Sequence, residues 1–145
     1  MWVRMLYASR ATGPQTGTVT ANILAVAREH NAVHGISGVL CQGQGLYVQV
    51  LEGERAELNR LYARILRDPR HHDVQMLSFE EITQRRYGAW SMAHVLLPDD
   101  DAMVRMQHPE FDPFSATGAF MLKRLDELVA TGHPIDGHPA APRQG

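Results

Sequence analysis

The sequence is short of the residues that mark several large functional classes. It has one cysteine, Cys41, set in an apolar run without a partner, so it offers neither a disulfide framework nor a thiolate metal site. Cys41 is expected to pack as a small hydrophobe. The formal net charge is −2 and the eight histidines are scattered. With no basic stripe to follow a phosphodiester backbone, nucleic acid is not expected as a partner. The opening MWVRMLYAS lacks the apolar stretch of a signal peptide, and no run approaches the roughly 20 apolar residues that span a bilayer. No membrane association is expected, and the cytoplasm is the expected location.

Catalytic signatures are also missing. There is no G-x-S-x-G, no G-x-x-x-x-G-K, no G-x-G-x-x-G and no H-E-x-x-H. His30 and His34 stand four apart, but Gly35 follows where a helix is ending, which argues against a two-histidine metal face. His71 and His72 are expected on a connection, pointing apart. No metal is expected.

What is present fits one globular domain of 145 residues, with 44% hydrophobic and 21% charged residues. Residues 3 to 9, VRMLYAS, alternate as a strand with Val3, Met5 and Tyr7 on one face. From Thr18 to about His30 the apolar positions Val19, Ile23, Val26 and Ala27 recur at helical spacing, with Thr18 or Thr16 as N-cap and an end near Asn31. GISGVLC reads as a second strand, whose Gly35 and Gly38 permit close backbone approach, and QGQG as a hairpin turn. In the third strand, LYVQVLEG, period two sets Tyr47, Gln49 and Leu51 on one face.

Glu54 to Arg67 reads as a second helix with the stripe Leu58, Leu61, Tyr62 and Ile65, stopped by Asp68-Pro69. DVQMLSFEEI and SMAHVLL complete the order βαββαββ. Both helices then lie on one face of an antiparallel-rich sheet, an α+β, ferredoxin-like sandwich. TGAFMLKRLDELVATG places Phe120, Met121, Leu125 and Leu128 at helical spacing, a helical cap for the bare face. The expected division is one compact unit over 1–97, a C-terminal helical cap over 98–132 and a Pro- and Gly-rich flexible tail over 133–145.

If the first and third strands are neighbours, Tyr7 and Gln49 share the face the helices cover, where a phenol and an amide can hydrogen-bond. A core tyrosine and glutamine that satisfy each other or a buried water meet the same pattern. Asn31 equally suits a helix C-cap.

Four stretches carry a family resemblance: RMLYAS, REHNAVHGISGVL, YVQVLEGERAELNRLYARILRDPRHHDVQML and RRYGAWSM. Together, in this order over residues 3 to about 97, they resemble the BLUF family of blue-light sensors, which hold flavin adenine dinucleotide (FAD). The resemblance implies a flavin ring slotted between the two helices, with Ile23 and Ile65 on either side of it. It implies that Asn31 binds the pyrimidine edge, that His30 lies near the ring, and that Arg64, Asp68 and His71 lie beside the ribityl and phosphate part. On residue type alone Arg64 is equally a solvated charge on a helix face. Tyr7 is implied as the light-driven electron and proton donor. Gln49 is implied as the amide whose rotation or tautomerisation rewires the flavin edge. Trp90 and Met92 match the pair that relays the change to the outer face. Ala8 stands where many relatives have serine, and Tyr47 where many have phenylalanine.

A noncovalent FAD photoreceptor without turnover is therefore expected, signalling through its C-terminal region to an effector protein in trans or to a homo-oligomer. The rivals are a small flavoprotein redox enzyme and a light-insensitive ligand-binding regulatory domain on the same scaffold.

Overall fold

The computed structural model describes residues 1–97 and 112–131. Its elements are β1 (Trp2–Ala11), α1 (Gly17–His34), β2 (Ser37–Gly43), β3 (Leu46–Glu54), α2 (Arg55–Arg67), β4 (His71–Ile82), β5 (Ala93–Leu96) and α3 (Gly118–Thr131). The strands form one sheet in the order β4-β1-β3-β2-β5. All pairings are antiparallel except β2 with β5. This is the α+β, ferredoxin-like βαββαββ arrangement, and the register sets Tyr7 directly opposite Gln49.

Alternation along the strands splits the core in two. Val3, Met5 and Tyr7 of β1, Leu40 of β2, and Tyr47 and Leu51 of β3 pack with Leu24 of α1 and Leu58 of α2. On the reverse face Leu6, Ala8, Val39, Cys41, Val48, Val50 and Val95 pack with Met121, Leu125 and Leu128 of α3. The expected cap helix thus lies on the face that α1 and α2 leave bare. The linker over 98–111 and the tail over 133–145 lie outside the described residues.

Several local expectations are corrected. Helix α1 runs on to His34, because Asn31 is not its cap: Gly35, at φ 67°, adopts the left-handed geometry and its N–H bonds the Asn31 carbonyl. Gly35 therefore ends a helix rather than starting the strand. Gly38 does serve close approach, since a Cβ there would fall 2.1 Å from the Val50 carbonyl oxygen. Thr16, not Thr18, is the N-cap, its Oγ1 accepting from Val19 N–H.

The anticipated α1 stripe is also displaced. Thr20, Leu24 and Asn31 are the buried positions, whereas Val26 is 57% exposed. The reason is that Ile23, Val26 and Ala27 line a groove between α1 and α2, where Ile23 and Ala27 also pack part-buried against the core and Val26 does not. His71 and His72 open β4 rather than lying on a connection, paired with Ala11 and Arg10.

Candidate functional site

The groove between α1 and α2, floored by β1, β2 and β3, encloses about 180 Å³. That is several times the roughly 30 Å³ share of one water molecule. Its walls are Ile23, Val26 and Ala27 from α1 and Leu61 and Ile65 from α2, and Leu40 and Leu51 contribute to the floor. Apolar walls around a few convergent polar groups are the usual make-up of a small-molecule site.

Two opposed strand residues meet at the floor. The Tyr7 hydroxyl donates to Gln49 Oε1, and both side chains are buried. Gln49 Nε2 donates to Met92 Sδ at 3.4 Å, a weak acceptor that leaves amide donor capacity for an acceptor in the groove. A register shift on the β4 side, between Leu6 and Tyr7, lets β1 present Tyr7 at a local irregularity. Burial first, and the Asp68 carboxylate second, push the Tyr7 phenol well above its ordinary pKa, so it holds its proton firmly in the resting state.

Asn31 is 1% exposed, and its Nδ2 donates to the Ser91 carbonyl at 2.7 Å. His30 stands at the groove wall, its Nδ1 3.5 Å from Asn31 Oδ1 and its ring stacked on His34 at 4.2 Å. Desolvation, aided by the charges of His34 and Arg64, lowers the His30 pKa against the opposing Asn31 hydrogen bond and Glu57. His71 is fixed at both nitrogens: Nε2 lies 2.6 Å from the Ile65 carbonyl, which accepts, and Nδ1 lies 2.7 Å from Ser9 Oγ. Its ring edges toward Tyr7 and Tyr47.

At the open end Arg64, Asp68 and Arg70 line the groove. Asp68 is engaged by the Arg70 guanidinium, with Nη2 to Oδ2 at 2.6 Å, and this hydrogen bond lowers the carboxyl pKa while raising that of the arginine. Arg64 lies at this rim and is exposed.

The fold brings Tyr7, Ile23, His30, Asn31, Gln49, Arg64, Ile65, Asp68, His71 and Met92 to one groove. It does not bring Trp90 there. Trp90 is half-buried and packs on the reverse face, against the cluster that includes α3. Met92, 1% exposed, points inward. Sequence reasoning missed Arg70 and Ser91. The D-P-R run was the available signal for Arg70, because Asp68 Oδ1 also accepts the Arg70 backbone N–H in a local turn. Ser91 acts through its carbonyl, which no side-chain pattern reports.

The chain matches the family described as BLUF, sensors of blue-light using FAD, over residues 2–93. The chain belongs to the BLUF family. It is a blue-light sensor of the flavin-using kind.

This BLUF chain is 37% identical over 144 residues to the photoactivated adenylate cyclase subunit beta of Euglena longa, covering 96% of this chain and 17% of that protein. Its structure is similar to the BlsA ground state at 27% identity and TM-score 0.82, over 96% of this chain and 94% of that one. It is also similar to the dark state of BlrB at 28% identity and TM-score 0.72, over 89% and 95% of the two chains. The chain spans 17% of the length of the first curated relatives it matches. Among the described residues no helix is long and apolar enough to cross a membrane.

The residues present fit a flavin. A largely apolar groove between two helices suits a fused ring, and Gln49 and Asn31 each bring to it an amide, a group with donor and acceptor capacity like that of a pyrimidine edge. The arginines at the open end suit a phosphate-bearing tail.

Proposed function

We propose that this chain is a photoreceptor that binds FAD noncovalently in the α1/α2 groove and switches through the hydrogen bonds of Gln49, without substrate turnover. Bound there, FAD supplies a chromophore that absorbs blue light and becomes a strong oxidant when excited. Ile23 and Ile65 would lie on either side of the ring, Asn31 would hydrogen-bond its pyrimidine edge and His30 would lie near it. Arg64, Asp68 and His71 belong to the end that receives the ribityl and phosphate groups, with Arg70 added to them.

Tyr7 is the photochemical donor in this reading. Tyr7 would give an electron to the light-excited flavin. The oxidised phenol, now strongly acidic, would release its Oη proton toward Gln49 Oε1, and both electron and proton would return to Tyr7 as the hydrogen bonds rearrange. The observation that carries the reading is the chain of contacts Tyr7 to Gln49 to Met92 within one buried slot. Gln49 has a donor at one end and an acceptor at the other. Reversing those ends exchanges one set of hydrogen bonds for another without moving net charge, giving two states of similar energy. In the second state Nε2 leaves Met92 Sδ, and Met92 and Trp90 carry that change toward the reverse face.

Residues 1–97 form the flavin-binding unit in this proposal and residues 98–132 the output cap, acting in the cytoplasm on an effector protein in trans or on a second copy. The name of the Euglena longa relative pairs light activation with an adenylate cyclase, which supports an effector as the recipient.

The test is the visible spectrum of the purified protein before and after blue light, with the flavin released and identified. A flavin band that moves slightly to longer wavelength and relaxes in darkness is expected. Tyr7→Phe and Gln49→Leu are expected to keep the yellow colour and lose that shift. A normal photocycle in either variant removes that residue from the mechanism. Steady reduction by a nicotinamide cofactor favours a redox enzyme, and a colourless protein that takes up no flavin favours a light-insensitive regulatory domain.

A further inference from the structure

Residues 85 to 92, between β4 and β5, touch both the flavin groove and the cap helix. At one end of this segment Met92 Sδ accepts from Gln49, the Ser91 carbonyl accepts from Asn31 and the Met92 carbonyl accepts from Arg28 Nε at 3.0 Å. At the other end, Arg86 Nη1 donates to Asp126 Oδ2 at 2.7 Å and the Tyr87 hydroxyl donates to Asp126 Oδ1. Asp126 lies on α3. Both oxygens of one carboxylate are thus taken by two consecutive residues of the segment.

The segment is anchored from below as well. Glu52, 0% exposed, receives the backbone N–H of Arg86 at 2.9 Å and of Tyr87 at 2.7 Å, and it is paired with Arg4 Nε at 2.7 Å. Glu52 stands three residues from Gln49 on β3. Tyr87 itself is 2% exposed within the reverse-face core. Its ring is therefore locked by packing, and its hydroxyl holds α3 in place from a fixed point.

We propose that the clasp of Arg86 and Tyr87 on Asp126 is the positioning contact by which the state of the Gln49 site sets how firmly α3 is seated on the sheet. When Gln49 gives up Met92 Sδ, the segment loses one of its groove-side anchors. The strain reaches Asp126 through a short, hydrogen-bonded stretch, and α3 loosens over the apolar face it covers. The inference rests on the light-sensor reading and names the residues that pass its output to the cap.

The protein carries its own reporter. Cys41 is the sole cysteine of the chain, it is buried, and with Met121, Leu125 and Leu128 it lines the small apolar pocket between the sheet and α3. Buried under α3, its thiol is shielded from a maleimide while that helix is seated.

The experiment compares Cys41 labelling rates in darkness and under steady blue light, using the flavin-loaded full chain and recording the absorbance shift on the same samples. Wild type is expected to label several-fold faster in the light. Tyr87→Phe, Asp126→Asn and the double variant keep the side-chain volumes nearly unchanged. They are expected to keep the spectral shift, to label faster in darkness than wild type and to lose most of the light-to-dark ratio. A wild-type rate that light leaves unchanged or slows, in a sample whose spectrum shifts normally, overturns the clasp while leaving the sensor reading intact. So does a wild-type ratio in the double variant. If the spectrum itself does not shift, the sensor reading fails and this inference with it.

Discussion

The Tyr7 hydroxyl and Gln49 Oε1 are hydrogen-bonded across two directly opposed strand positions, with both side chains buried. Their energies should therefore be coupled. Tyr7→Phe leaves a buried amide oxygen without its donor, which costs about 1–3 kcal/mol, whereas removing both partners is far less costly. In urea unfolding, Tyr7→Phe/Gln49→Leu is expected to be less destabilised than the sum of the two single changes. Strict additivity would show that the pair contributes nothing as a pair.

Glu52 is a buried carboxylate with Arg4 on one side and the loop amides of Arg86 and Tyr87 on the other. Glu52→Ala leaves the Arg4 charge without its buried partner and orphans those amides. A loss of about 3–5 kcal/mol is expected from the urea midpoint, the usual cost of removing one member of a buried ion pair. A loss under about 1 kcal/mol would mean that Glu80, which also bonds Arg4 at 2.8 Å, suffices to hold the arginine.

Gly38 faces a backbone wall. A Cβ placed there would meet the Val50 carbonyl oxygen at 2.1 Å, and a carbonyl cannot swing aside as a side chain can. Gly38→Ala is expected to destabilise by about 3 kcal/mol or to prevent folding, at the upper end of overpacking effects. Gly13→Ala, where a Cβ would meet nothing within 4 Å, serves as the control and should leave the melting temperature nearly unchanged.

His30 should show a pH signature of defined sign. Its folded-state pKa is depressed below the ordinary 6.5, so the fold favours the neutral ring. The resulting contribution to stability is complete above about pH 6.5 and is lost as pH falls from there through the lower folded-state value. A ring-proton NMR titration should place the His30 midpoint below 6.5, and His30→Gln should flatten that part of the stability profile. A midpoint above 6.5 would mean that the Asn31 and Glu57 contributions outweigh desolvation.

Period two along β1 and β3 was enough to put Tyr7 and Gln49 on the helix-covered face, because a strand has only two faces and the apolar neighbours name the buried one. The α2 stripe was legible from the 3.6-residue helical period: Leu58 is buried, and Leu61, Tyr62 and Ile65 pack part-buried against the same core. The stripe on α1 was legible only in part: Ile23 and Ala27 pack part-buried against the core, but Val26 is an exposed groove wall, and hydrophobicity does not distinguish a wall from an interior. Asn31 misled. Its side chain reaches a carbonyl 60 residues away, and only Gly35 carried the true stop.

The sequence by itself determined the order of elements, the two-faced strands and the set of side chains that can build the slot, since these follow from periodicity, turn chemistry and residue type over short distances. Only the tertiary structure decided that Met92 turns toward Gln49 while Trp90 packs on the opposite face, that Glu52 is buried under the loop, and that Asp126 closes on Arg86 and Tyr87. Each of these depends on contacts between segments far apart in the chain, and the directions of side chains in an irregular loop obey no repeating period.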